Sequence, residues 1–233
     1  MLKVEPHKTV LPLIGYKQSK DSKLVFLGTS FFVEGTSSPL LATVNHVVED
    51  WNGGIGILAY PDSTIRTAEL IAQHPEVDLA LLHVPEYCPD KPLKIARDNE
   101  LLINQLVNCY EYSGSRFFKE AGAHTAALSS SCRLGNITRF VDLTDQYGQA
   151  GEEMLVLSFA ALQGASGAPI VSNSDLSLWG IVTANRAYNL LPAQIETVLD
   201  EKNQLIEEIK FMLPQALAIH VKHLRSILER GAY

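Results

Sequence analysis

Apolar residues along this chain come mostly in short runs, each closed by glycine, proline, asparagine or aspartate. The first clear run covers residues 24–33, with Phe26, Phe31, Phe32 and Val33, and the polar stretch 34–39 ends it. Runs at 40–48, 55–60, 65–72 and 77–84 follow, the last closed by Pro85. They are short and rich in β-branched and aromatic residues, so they predict strands, about six before residue 90. After a polar stretch around 90–100, the runs at 106–112, 125–132, 137–143, 154–159, 168–172 and 178–184 repeat the pattern. Two batches of antiparallel strands with no helices between them predict an all-β chain of two six-stranded antiparallel β-barrels, not a parallel βαβ sheet.

The period changes near the C-terminus. Within 192–212, Ile195, Leu199, Leu205, Ile206, Ile209 and Met212 fall near helical spacing. Glu196, Asp200 and Glu201 lie early and Lys210 late, which suits a helix dipole, so the pattern predicts a helix stopped by Pro214. A short strand is expected at 216–221, then an amphipathic helix at 220–230 with Gly231 as its C-terminal cap residue. The expected units are an N-terminal barrel over 1–100, a C-terminal barrel over 101–191, and a helical insertion, short strand and C-terminal helix over 192–233.

Composition narrows the classes. A chain of 233 residues buries enough surface to fold without a metal or disulfide staple. The net charge is −7, from 19 Lys+Arg against 26 Asp+Glu, with no basic cluster. That balance argues against a nucleic-acid or acidic-membrane partner. Cys88, Cys109 and Cys132 form an odd set with no CxxC pair, which predicts reduced thiols and a cytoplasmic setting. Glu5 and Pro6 stand where a signal peptide would need a long apolar run. The uncharged stretch 154–174 contains Gly164, Gly167 and Pro169 and is not a spanning helix. No cofactor or metal is expected: His220 and His223 are spaced i, i+3 with no acidic or thiol partner nearby in sequence, and read as a solvated helix face.

The segment Gly164-Ala165-Ser166-Gly167-Ala168-Pro169 carries the most chemical information. A serine that attacks a carbonyl needs an unobstructed turn, amide hydrogens aimed at the developing oxyanion, and a base within reach. Gly164 permits a turn in which its own amide and that of Ser166 form an oxyanion hole. Alone, the segment reads equally as a small-residue turn between strands. Two further positions add to it. His46 ends an apolar strand at a polar turn, where a histidine is usually a satisfied edge residue. Asp78 opens the apolar run 79–82, where a carboxylate is costly unless it is paired. An aspartate that holds a histidine ring fixes its tautomer and stabilises the imidazolium. The order His46, Asp78, Ser166 puts two members in the first batch of strands and one in the second, so a site would lie between the barrels.

On these residues the sequence resembles the chymotrypsin-like serine peptidases, most closely the HtrA/Deg-type protease domain. The similarity runs through Gly28-Thr29-Ser30-Phe31-Phe32-Val33, Thr43-Val44-Asn45-His46-Val47-Val48, Asp78-Leu79-Ala80-Leu81-Leu82, Gly164 to Pro169, and Leu178-Trp179-Gly180-Ile181-Val182-Thr183. It covers about residues 24–190. The resemblance implies a serine endopeptidase with Ser166 as nucleophile, His46 as general base and Asp78 as its orienter. It also implies that Thr183, Ala184 and Asn185 pair with the substrate backbone as an added strand. Ala160 and Ala161 would then lie at the primary pocket, with no carboxylate to meet Lys or Arg, which implies a small or medium apolar side chain there. Two positions depart from the family pattern: Ala168 where glycine is usual, and Ala165 where Asn or Asp is frequent. The alternative they leave open is a weak or inactive scaffold that binds peptides. An α/β-hydrolase elbow needs a helix directly after the serine, whereas Ala168-Pro169-Ile170-Val171 reads as a strand. The 192–212 helix is expected to pack on the second barrel, gating the pocket or docking a protein partner.

Overall fold

The computed structural model describes residues 8–17, 23–35, 38–59, 64–85, 87–89, 91–97, 101–120, 123–142, 153–189, 195–199, 205–210 and 212–231. The first barrel is built from β1 (Val10–Lys17), β2 (Lys23–Val33), β3 (Leu40–Val44), β4 (Gly54–Leu58), β5 (Ile65–His74) and β6 (Leu79–His83). It closes in the order β1-β2-β3-β6-β5-β4, all antiparallel. A single helical turn, α1 (His46–Glu49), follows β3. The second barrel uses β7 (Leu106–Glu111), β10 (Ser131–Asp142), β11 (Glu153–Leu157), β12 (Pro169–Ser172), β13 (Leu178–Asn189) and β16 (Met212–His220). Two ribbons extend from it, β8 (Arg116–Glu120) with β9 (Ala123–Ala127), and β14 (Ile195–Leu199) with β15 (Leu205–Lys210). Helix α2 (Val221–Arg230) ends the fold.

Unbroken apolar runs, not apolar–polar alternation, mark the strands that carry both sides of the core. On β3, Leu41 fills the interior of the first barrel, while Leu40, Ala42 and Val44 point the other way into a shared cluster. On β6, Ala80 and Leu82 face inward, and Leu79 and Leu81 join the shared cluster. That cluster also holds Met154, Val156, Ile181 and Ile219 from the second barrel and Val221, Leu224, Ile227 and Leu228 from α2. A strand buried on both faces has no place for alternating polar residues. Each large side chain so buried contributes about 1.5–3 kcal/mol, so the junction is part of the core. Trp179 and Ile137 fill the second barrel.

Three expectations change. β1 escaped the sequence pattern because Pro12 and Gly15 interrupt it; Pro12 nevertheless sits opposite Thr29 in the ladder. The second barrel extends past residue 191, because β16 pairs with both β11 and β13 to close it. The described residues of 192–212 form no helix: β14 and β15 pair there as an antiparallel ribbon. The reason is the long β13–β16 ladder, which pairs Asn189 with Met212. Chain ends held side by side by that ladder are continued by a ribbon, and tertiary pairing overrides a weak helical period. The described residues of the segment form a two-stranded ribbon in place of the expected helix. The C-terminal helix lies where the pattern puts it, with Gly231 at φ +60° as its cap residue. His220 departs from the solvated face expected of it: it is buried, and its ring accepts a hydrogen bond from the Lys222 amide at the helix start.

Candidate active site

Asp78 is where the two barrels meet chemically. It follows a short 3-10 turn (Pro75–Val77) and sits in the left-handed region at φ 53°, an uncommon conformation that aspartate tolerates better than most side chains. Its carbonyl accepts from the Asn45 amide at 3.1 Å. One carboxylate oxygen accepts from the His46 backbone N–H at 2.9 Å, and the other lies 2.9 Å from His46 Nδ1. With Nδ1 bound to a carboxylate, the imidazole presents Nε2 to the cleft as its free nitrogen. Asn45 secures the same turn through Glu49 at 3.2 Å and Gln73 at 3.1 Å.

Thr183 supplies the link to the second barrel. Its hydroxyl donates to the same Asp78 oxygen that holds the His46 ring. Its carbonyl oxygen is 3.5 Å from Ser166 Oγ, at the long end for a hydrogen bond, so the serine hydroxyl is only lightly held. His46, Asp78, Thr183 and Ser166 therefore form one connected series across the junction. Burial pushes the Asp78 carboxyl up, but the hydrogen bonds from His46 and Thr183 together outweigh it and leave it below its ordinary value. The hydrogen bond with Asp78 raises His46 above the ordinary 6.5, against the opposing effect of burial. Both shifts favour the charged pair.

The serine loop is pinned from the other barrel. The Thr29 amide donates to the Ser166 carbonyl at 2.9 Å, and the Thr29 hydroxyl donates to the Gly164 carbonyl at 2.9 Å. Gly28 allows this approach, since a Cβ there would stand 2.8 Å from the Ser166 carbonyl oxygen. Gly167 is at φ +86°, and a Cβ on it would lie 2.1 Å from the Thr29 carbonyl oxygen. Ala165 and Ala168, the two departures from the family pattern, are fully buried in the second barrel, and the Ala168 amide closes the turn onto the Ala165 carbonyl at 2.9 Å. Among the described residues, neither the Gly164 nor the Ser166 amide donates a hydrogen bond to protein. Two donors are thus left at the turn.

Ala160 and Ala161 are half-buried beside the loop. The Asn185 side chain clamps Ala161, accepting from its amide at 2.8 Å and donating to its carbonyl at 2.7 Å. Asn185 therefore holds the Ala161 segment against β13, a role the sequence does not disclose. The sequence likewise implies only a backbone role for Thr183; its hydroxyl in an otherwise apolar run is the one available signal. Among the described residues, no cluster of three His, Cys, Asp or Glu side chains could hold a metal.

A family model described as a trypsin-like peptidase domain matches residues 28–181. Among solved structures, the active form of the Rv3671c protease from M. tuberculosis is 17% identical with a TM-score of 0.58, covering 96% of this chain and 80% of that one. The HtrA-type protease AlgW with a decapeptide is 16% identical with a TM-score of 0.61, covering 96% of this chain and 64% of that one. The AlgWS227A variant with a tripeptide is 19% identical with a TM-score of 0.60, covering 97% of this chain and 62% of that one. At these identities the likeness is one of fold. No curated protein sequence matches the chain.

Proposed function

The chain belongs to the trypsin-like peptidase family and is a serine protease; from that premise we propose that it cleaves internal peptide bonds through an acyl-enzyme formed on Ser166. In the first step the Ser166 oxygen attacks the scissile carbonyl, and His46 Nε2 takes the hydroxyl proton. Asp78 holds Nδ1–H, keeps the reactive tautomer and stabilises the imidazolium. The amides of Gly164 and Ser166 receive the negative charge that develops on the carbonyl oxygen. The tetrahedral intermediate collapses as His46 returns the proton to the leaving amine. Water then repeats the cycle with His46 again as base and releases the acid. The observation that carries this reading is the doubly held Asp78, bonded to the His46 ring and to Thr183, whose carbonyl meets Ser166 Oγ.

The substrate backbone runs antiparallel to Thr183–Asn185, adding a strand to the barrel. The side chain before the scissile bond enters beside Ala160 and Ala161, where methyl groups favour a small or medium apolar residue. The test is labelling with a fluorophosphonate probe beside a proteome-derived peptide digest. Wild type is expected to take up one equivalent at Ser166 and to cut, while Ser166→Ala does neither. An unlabelled, folded wild type that still binds peptides would overturn the enzyme reading in favour of a binding scaffold.

A further inference from the structure

We propose that Arg116 selects substrates that carry a carboxylate in the leaving-group half of the peptide, an inference that rests on the peptidase reading above. A groove of about 610 Å³ opens beside Gly164. Its walls include Phe26 and Leu27 of β2, Arg116 and Phe117 of β8, and Leu162 and Gln163 of the loop before Gly164. The groove is continuous with the serine loop: the Gly114 amide donates to the Gln163 carbonyl at 3.3 Å, and the Phe26 ring lies where a Cβ on Gly164 would be, 2.5 Å away. β13 meets Ser166 through the Thr183 carbonyl and takes the residues before the scissile bond. The groove lies on the β2 flank of the loop, so it takes the residues after it.

Leucine, valine and phenylalanine side chains make up about half of the groove's lining, and Arg116 carries its only charge among the described lining residues. Arg116 is exposed and, among the described residues, makes no ion pair or side-chain hydrogen bond. Its guanidinium fork matches a carboxylate in two parallel hydrogen bonds, which a lysine could not reproduce. Apolar walls displace water from one side of the fork and strengthen the attraction relative to open solvent. The chain as a whole is acidic, at −7, so a lone cation at the leaving-group side discriminates against the chain's own general repulsion of acidic peptides. The carboxylate can come from an Asp or Glu side chain or from the terminus of a short leaving group.

Four peptides with the same acyl half decide it, with Glu or Gln in the leaving half and a free acid or an amide at the end. For wild type, kcat/KM is expected to favour a carboxylate about two- to fivefold, the range of an exposed ion pair, and less at high salt. Arg116→Ala should erase the preference, Arg116→Glu should reverse it, and Arg116→Lys should keep part of it. A Glu-over-Gln effect assigns the side chain, and an acid-over-amide effect assigns the terminus; either supports the proposal. Equal rates for all four peptides in wild type, or a preference that survives in Arg116→Ala, overturns it. Binding of the same peptides to Ser166→Ala, read by fluorescence anisotropy, gives the ratio without turnover. If wild type cuts nothing, the peptidase reading falls, and the anisotropy ratios alone still decide the role of Arg116.

Discussion

At the residue scale, the hydrogen bonds on Asp78 set a pH dependence with a definite sign. In the proposed mechanism the base is neutral His46, and its hydrogen bond to Asp78 raises its pKa above 6.5. Activity should therefore be lost on acidification at a pH higher than a free imidazole would give, and kcat/KM should rise with a midpoint above 6.5. A pH–rate profile checks this, and a midpoint below the ordinary value would contradict the Asp78 contact. The linkage to stability has the same origin. His46, with its raised value, stabilises the fold below its unfolded value, and that contribution fades as pH rises through the folded one. Asp78, with its lowered value, contributes above its unfolded value and loses the contribution as pH falls through the folded one. Thr183 belongs to the same set as a positioning residue. Thr183→Ala removes a donor to a partly exposed carboxylate, so kcat should fall about five- to tenfold with KM little changed. Thr183→Ser should restore most of the rate, an outcome that a purely steric role would not give.

At the level of elements, the serine turn is held in place by the opposite barrel. Gly167 combines φ +86° with backbone and Thr43 Oγ1 pressed against it, whereas Gly231 at φ +60° has nothing within 4 Å. The two positions share a conformation that is costly for L-residues and differ in space. Gly231→Ala should cost about 1–2 kcal/mol. Gly167→Ala should cost more than about 2 kcal/mol and disable the turn, because the loop must part from Thr29 to admit the methyl group. Denaturant titration of both variants measures the difference, and equal costs would refute the packing argument. Pairing at the same scale overrides the helical period of one segment. The 192–212 segment has an amphipathic period, yet the pairing of its flanks makes it an antiparallel ribbon.

For the whole molecule, the shared cluster makes the two barrels one folding unit. Trp51 packs against the core of the first barrel and Trp179 fills the second, so Trp51→Phe and Trp179→Phe each leave one fluorescent reporter per barrel. In each variant the fluorescence transition in guanidinium should coincide with that variant's own loss of far-UV circular dichroism. Leu224 on α2 is fully buried in the cluster that both barrels share. Leu224→Ala should lower stability by about 2–5 kcal/mol and move both transitions together. A shift confined to one reporter would show that the barrels unfold separately.

The sequence by itself determined the class of fold and singled out His46, Asp78 and Ser166 as candidates, because both depend on local signals. Short β-rich runs between turn residues encode strands wherever they end up. A histidine at a strand end, an aspartate opening an apolar run and a serine among small residues each keep their chemistry in isolation. What joins them is non-local. Thr29 and Thr183 are separated in sequence from Gly164 and Asp78 by 135 and 105 positions, and a hydroxyl's partner follows only from which strands close the barrels. The ribbon at β14–β15, the closing role of β16 and the clamp of Asn185 on Ala161 were decided the same way, by cross-strand pairing whose energy outweighs the propensity of any single segment.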